Sequence, residues 1–146
     1  MSKPTVCASR SHDFSAGHKI TGHENKCSRL HGHNYRIHFT LERDCGLDSH
    51  GRVLDFSVIK DRLCDWLETH WDHRFLIYQD APDAVWLGMR FPDDIVLTPF
   101  NPSAENMAMY LVETIGPSQL VGTDCTLVHC SVEETRKCGA SYGRHS

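Results

Sequence analysis

Two histidines one residue apart, His31-Gly32-His33, are the sharpest chemical signal in the chain. Residues i and i+2 of a strand project from the same face. In a strand that begins by residue 31, both imidazoles lie on one side and can grip one ion. Neutral imidazole suits zinc. Most such pairs bind nothing, so the reading needs a third ligand. His18, in Phe14-Ser15-Ala16-Gly17-His18, is the best candidate, with His12, His23 and His38 also nearby. Three histidines with no fourth protein ligand leave an open position, which is the catalytic kind of zinc site.

Other reactive types sit close in sequence. Cys27 lies four residues before His31. Beside a zinc ion its thiol is either a fourth ligand or a base, because the ion's charge favours the thiolate; away from one it is a small buried hydrophobe. Asp72-His73 follows a helical stretch. Adjacent residues cannot face each other within a regular helix, but at a helix end the carboxylate can orient the imidazole for proton transfer. Glu134 closes Val132-Glu133-Glu134-Thr135. Its carboxylate can accept two hydrogen bonds from an N–H and an amino group side by side, the edge a pterin or guanine offers. The alternative is a solvated strand end.

Composition sets bounds on what these residues serve. The chain has 146 residues, 40% hydrophobic and 23% charged, enough for one folded domain spanning 1–146. A formal net charge of -4 argues against a nucleic-acid binder and against an anionic membrane surface as partner. No apolar run is long enough to span a membrane, and no apolar segment follows Met1 to resemble a secretory signal. Seven cysteines, an odd number without a CxxC pair, predict a reduced cytoplasmic protein rather than a disulfide scaffold. Eleven histidines outnumber the four tyrosines and three tryptophans together, which points to metal or acid–base chemistry.

The elements that must position these groups are legible in part. Asn34 to Leu41 alternates apolar and polar residues and predicts a strand. Asp48-Ser49-His50-Gly51 predicts a turn into a second, short strand at Val53-Leu54. Ser57 to His70 predicts a helix with Phe56, Ile59, Leu63, Trp66, Leu67 and His70 on one stripe and Asp55 or Ser57 as N-cap. A second helix is expected from about Ser103 to Ile115, stopped by Gly116-Pro117. Strands are expected at Thr5 to Phe14, Gly122 to Glu134 and Gly139 to Tyr142. Tyr78 to Phe100, with three prolines, reads as a long loop holding one short strand at Ile95-Val96-Leu97. This order predicts an α+β domain with helices on one face of a sheet.

Taken together, the motifs resemble the 6-pyruvoyl-tetrahydropterin synthase family, over nearly the whole chain and in order. Phe14-Ser15-Ala16-Gly17-His18 is similar to its F-x-A-x-H element. Cys27-Ser28-Arg29-Leu30-His31-Gly32-His33-Asn34-Tyr35 is similar to C-x-x-x-H-G-H-[NS]-[YF]. Leu54-Asp55-Phe56, Trp71-Asp72-His73-Arg74-Phe75-Leu76, Asn101-Pro102-Ser103-Ala104-Glu105-Asn106 and Val132-Glu133-Glu134-Thr135 match the later elements, with Tyr142 after them. The three-residue gap between Cys27 and His31 resembles the queuosine-pathway branch, which makes 6-carboxy-5,6,7,8-tetrahydropterin; pyruvoyl-type enzymes have a longer gap.

The resemblance implies a tunnelling fold: a four-stranded antiparallel sheet with two helices on one side, closed into a barrel in trimers, with two trimers stacking into a hexamer. It implies Zn2+ held by His18, His31 and His33, and 7,8-dihydroneopterin triphosphate as substrate. Cys27 would be the catalytic thiolate, and His73, oriented by Asp72, the proton relay, meeting Cys27 across a subunit interface. Glu134 would anchor the pterin edge, with Ser103 and Glu105 at the helix start. The alternatives are a pyruvoyl-type triphosphate lyase of the same fold and a non-enzymatic zinc module in which Cys27 closes the site. Two departures stand out. The connection between Leu76 and Asn101 is longer than usual, and Ser103-Ala104 replaces a threonine-rich pair. Lys19, Lys26 and Arg29 are candidate cations for the triphosphate.

Overall fold

The computed structural model describes residues 4–22 and 29–144. His23, Lys26 and Cys27 lie outside the described residues. Two long strands form the centre: β1 (Cys7–Lys19) and β2 (His31–Arg43). They pair antiparallel from Cys7 opposite Glu42 to His18 opposite His31. The alternation read in β2 is the cause of its burial. Tyr35, Ile37, Phe39 and Leu41 point into the core, while Asn34, Arg36 and His38 point the other way. The opening strand runs five residues further than its pattern suggests, because β2 carries it through Ala16 and Gly17 to His18.

A helical run follows, formed by α1 (Phe56–Ile59), a π-helical turn (Lys60–Cys64) and α2 (Asp65–His70). Asp55 is its N-cap, accepting from the Ser57 N–H at 2.9 Å. Ile59, Leu63 and Leu67 are buried, as the stripe predicts, but Phe56 opens the helix and is exposed. Val53-Leu54 is not a strand; the chain bends there, and β2 pairs instead with the preceding β1 and with the later strand Cys125–Glu133.

The sheet has six strands, not four, in the order Ile95–Thr98, Phe75–Tyr78, β1, β2, Cys125–Glu133, Gly139–Gly143. The two extra strands are β3 (Phe75–Tyr78), which ends where the expected loop begins, and β4 (Ile95–Thr98), the short strand expected at Ile95-Val96-Leu97; α3 (Ala84–Arg90) lies between them in the stretch read as a loop. β3 runs parallel to both β1 and β4. A parallel pair needs a crossover, and α3 supplies it. Pro82, Pro92 and Pro99 fall between these elements, so they punctuate structure rather than exclude it.

The second helical run is α4 (Ala104–Tyr110), a π-helical turn (Leu111–Ile115) and α5 (Gly116–Gln119). Gly116-Pro117 does not stop it. Pro117 stands at the start of the last turn, where its missing N–H costs nothing. β5 (Cys125–Glu133) and β6 (Gly139–Gly143) complete the sheet as an antiparallel pair. Met107, Ala108 and Leu111 join Ile59, Leu63 and Leu67 over the inner residues of β2 in one core cluster. Among the described residues, no helix is long and apolar enough to cross a membrane.

Candidate active site

The β1–β2 register builds the histidine constellation. His18 stands directly opposite His31, and His33 is two residues further along the same face of β2, opposite Ala16. Three imidazoles therefore form a triangle with ring centroids 4.5, 5.0 and 5.0 Å apart. One ligand atom from each lies within 4.8 Å of the other two. His12 and His38 are engaged elsewhere, bonded to Glu68 at 2.6 Å and Glu133 at 2.7 Å.

Backbone carbonyls fix how the rings present themselves. A carbonyl only accepts, so each ring nitrogen beside one carries the proton. His18 Nδ1 donates to the Pro102 carbonyl at 2.7 Å, and His31 Nδ1 donates to the Arg29 carbonyl at 2.7 Å. That leaves Nε2 of both rings as a lone-pair donor. His18 Nε2 and His33 Nε2 are buried without a hydrogen-bond partner. Burial drives the His18 pKa down to about 4, helped by the neighbouring His31 and His33 and opposed by the Pro102 bond. Burial likewise lowers that of His33, against the pull of Glu134. The imidazoles of His18 and His33 are thus neutral at physiological pH. Neutral rings with partnerless, inward nitrogens fit a divalent metal such as zinc.

Glycine matters at one place here. A Cβ on Gly17 would lie 2.5 Å from Cδ2 of Phe75. Only glycine lets β3 approach β1 beside His18.

Asp72 and His73 meet in the turn after α2, where His73 takes a left-handed φ of 59°. Asp72 Oδ1 accepts from the Ser15 N–H at 3.0 Å and Oδ2 from His73 Nδ1 at 2.8 Å. Burial raises the Asp72 pKa, but the Ser15 and His73 bonds outweigh it and hold the carboxyl below its ordinary value. The His73 N–H donates to the Ser15 carbonyl at 2.6 Å. The His73 side chain is 81% exposed. It shares a cleft of ≈ 500 Å³ with His33 in the same chain.

Glu134 turns to the same side as the triad. Its carboxylate oxygens lie 3.5 Å from His33 Nε2 and 4.0 Å from His18 Nε2. Ser103 is the N-cap of α4, accepting from the Asn106 N–H at 3.1 Å, and Glu105 is exposed in the first turn. The described contacts do not bring Glu105 to the histidines. Lys19 is held by Asp83 at 3.1 Å, while Arg29 is exposed beside His31. Sequence reasoning missed Tyr35, whose ring flanks His18 and His33 at 5.9 and 5.5 Å. It also missed the carbonyls of Pro102 and Arg29. Tyr35 was readable only as a core residue of β2, and a backbone carbonyl leaves no trace in residue type.

Comparison with known proteins gives one result at each level. The sequence model of the 6-pyruvoyl tetrahydropterin synthase family matches residues 7–145. A Rickettsia typhi protein named 6-carboxy-5,6,7,8-tetrahydropterin synthase is 33% identical over 130 residues, covering 86% of this chain and 91% of its own. A Rickettsia felis protein of the same name is 34% identical with the same coverage. In structure, an uncharacterized protein from Wolinella succinogenes superposes with a TM-score of 0.81 at 19% identity, covering 98% of this chain and 100% of its own. The Caenorhabditis elegans 6-pyruvoyl tetrahydropterin synthase gives 0.66 at 24% identity and 97% of each chain. The chain therefore has the fold of these synthases, an α+β tunnelling fold, and belongs to the 6-pyruvoyl tetrahydropterin synthase family.

Proposed function

We propose that this chain converts 7,8-dihydroneopterin triphosphate to 6-carboxy-5,6,7,8-tetrahydropterin, releasing acetaldehyde and triphosphate, as a zinc enzyme of the cytoplasm. The observation that carries the reading is the triangle of His18, His31 and His33, two of its rings tautomer-locked by backbone carbonyls. The relatives over most of the chain that bear the carboxy-type name supply the reaction. The Cys27–His31 spacing favours this branch over the pyruvoyl type.

His18, His31 and His33 would hold the zinc, which when bound supplies a Lewis acid for the substrate's side-chain hydroxyls. Asp72 keeps the proton of His73 on Nδ1, leaving Nε2 in the cleft to take and return a proton. Cys27 is assigned the thiolate that accepts a proton from the substrate side chain. Glu134 is assigned the N–H and amino edge of the pterin, and Ser103 and Glu105 at the start of α4 are assigned further contacts to the substrate. That helix start is tied to the metal face through the Pro102 carbonyl on His18.

Homo-oligomerisation is part of the reading. β3 pairs with only Gly17–Lys19 of β1, so the Cys7–Ser15 stretch offers an edge on that side. β6 is the opposite edge of the sheet. Head-to-tail joining of such edges closes a ring, and a hexamer of two stacked trimers is the assembly proposed.

The deciding experiment is anaerobic product analysis of the zinc-loaded protein with 7,8-dihydroneopterin triphosphate. Acetaldehyde together with a carboxytetrahydropterin by mass supports the proposal. A pyruvoyl product without acetaldehyde replaces it with the pyruvoyl-type reaction. Zinc binding without turnover leaves the non-enzymatic module.

A further inference from the structure

The position of Glu134 is unlike that of the other acidic partners of histidine in this chain. Where a carboxylate and an imidazole are hydrogen-bonded here, they are close: His12–Glu68 at 2.6 Å, His38–Glu133 at 2.7 Å and His73–Asp72 at 2.8 Å. The Glu134 oxygens stop at 3.5 Å from His33 Nε2 and 4.0 Å from His18 Nε2. These are not hydrogen-bond lengths. The shorter of them is close to the spacing of atoms that share a metal ion. With metal–ligand bonds of about 2.1 Å, neighbouring donors of a tetrahedral site lie roughly 3.4 Å apart.

Glu134 also has a second contact waiting. Glu133, the last residue of β5, pairs with Arg36 of β2, and Glu134 and Tyr35 are the residues next beyond that pair. The Tyr35 hydroxyl is buried without a partner. A phenolic O–H that meets a carboxylate donates to it. A buried donor behind a liganding carboxylate is the usual way such a ligand is oriented.

We propose that Glu134 is the fourth metal ligand of the substrate-free enzyme and leaves the ion for the pterin edge when substrate binds. This rests on the zinc and pterin readings above. It assigns one carboxylate to two positions in turn: a closed four-ligand site at rest, and an open three-histidine site during turnover.

The test uses the full-length protein loaded with Co2+ for absorption and with Zn2+ in a chelator competition. Substrate-free wild type should give the intense visible bands of a four-coordinate Co2+ site. Adding 7,8-dihydroneopterin, without triphosphate, should change them. Glu134→Gln should lower zinc affinity by about 10–100-fold or more, weaken the bands and abolish the response to the pterin. Glu133→Gln, on the other sheet face, should keep wild-type affinity. Equal zinc affinity and equal Co2+ bands in Glu134→Gln and wild type would overturn the assignment. Wild-type bands that ignore a bound pterin would overturn the exchange, and this arm needs no variant to fold. A failed product analysis with the metal results intact would retire the pterin reading and leave the ligand assignment standing.

Discussion

The burial of His18 makes the metal-free protein acid-sensitive in a calculable window. The unfolded imidazole has a pKa near 6.5, and in the fold it is lowered to about 4, chiefly by burial. The sign follows from proton counting. Between these values the unfolded chain binds the proton and the native one does not, so stability rises with pH. The contribution is fully present above 6.5 and is lost as pH falls towards 4. A shift of this size is worth about 3 kcal/mol in total, of which about 2.5 kcal/mol is gone by pH 4.5. That is a large share of a domain stability of roughly 5–15 kcal/mol. The assay is urea denaturation of metal-free protein at pH 7.5 and 4.5, for wild type and His18→Asn. The variant loses the Pro102 hydrogen bond and some packing, costing about 1–3 kcal/mol at pH 7.5. Its stability should then fall less than that of wild type on acidification, the difference being about 2 kcal/mol or more. His33, also lowered by burial, titrates in both proteins and cancels in the comparison. Equal acid losses in the two proteins would refute the argument that His18 is held neutral.

Three further outcomes are expected. His31→Ala should lose bound zinc and turnover together, read by metal stoichiometry and product formation. Asp72→Asn should leave zinc content unchanged and lower kcat by about 10²–10⁴-fold, because an amide no longer fixes the His73 tautomer; an unchanged kcat would remove the dyad from the reaction. Cys27→Ser should keep zinc and lose turnover, and loss of metal in that variant would mark the thiol as a ligand instead.

What was legible in the sequence is what depends on local pattern. The period of β2 and the His31-Gly32-His33 spacing are properties of one strand, and a strand's side chains alternate whatever it pairs with. The choice among His12, His18, His23 and His38 as third ligand was not local. The register of β1 on β2 places His18 opposite His31, while His12 and His38 find acidic partners. The Asp72–His73 contact needed a left-handed residue that no glycine announces. β3 and α3 escaped because β3 is only four residues long and the prolines suggested a loop, whereas β4 was expected at Ile95-Val96-Leu97. A four-residue strand has too few residues to show a period, and its identity comes from pairing with a neighbour.

The same pairing explains why the two halves of the site sit together. Ser15 gives its N–H to Asp72 and its carbonyl to the His73 N–H. Two residues on, Gly17 donates to the Arg74 carbonyl, and from Gly17 to Lys19 β1 lies parallel to β3. One edge of one strand therefore carries the dyad at Ser15, the glycine that admits β3 at Gly17, and a histidine of the metal triangle at His18. The dyad cannot shift along that edge without breaking the bonds that hold β3, and β3 cannot move away without freeing β1 beside His18. The added strands thus do more than widen the sheet. They clamp the end of β1 where the chemistry is, at a position that a four-stranded version of the sheet would leave as an open edge.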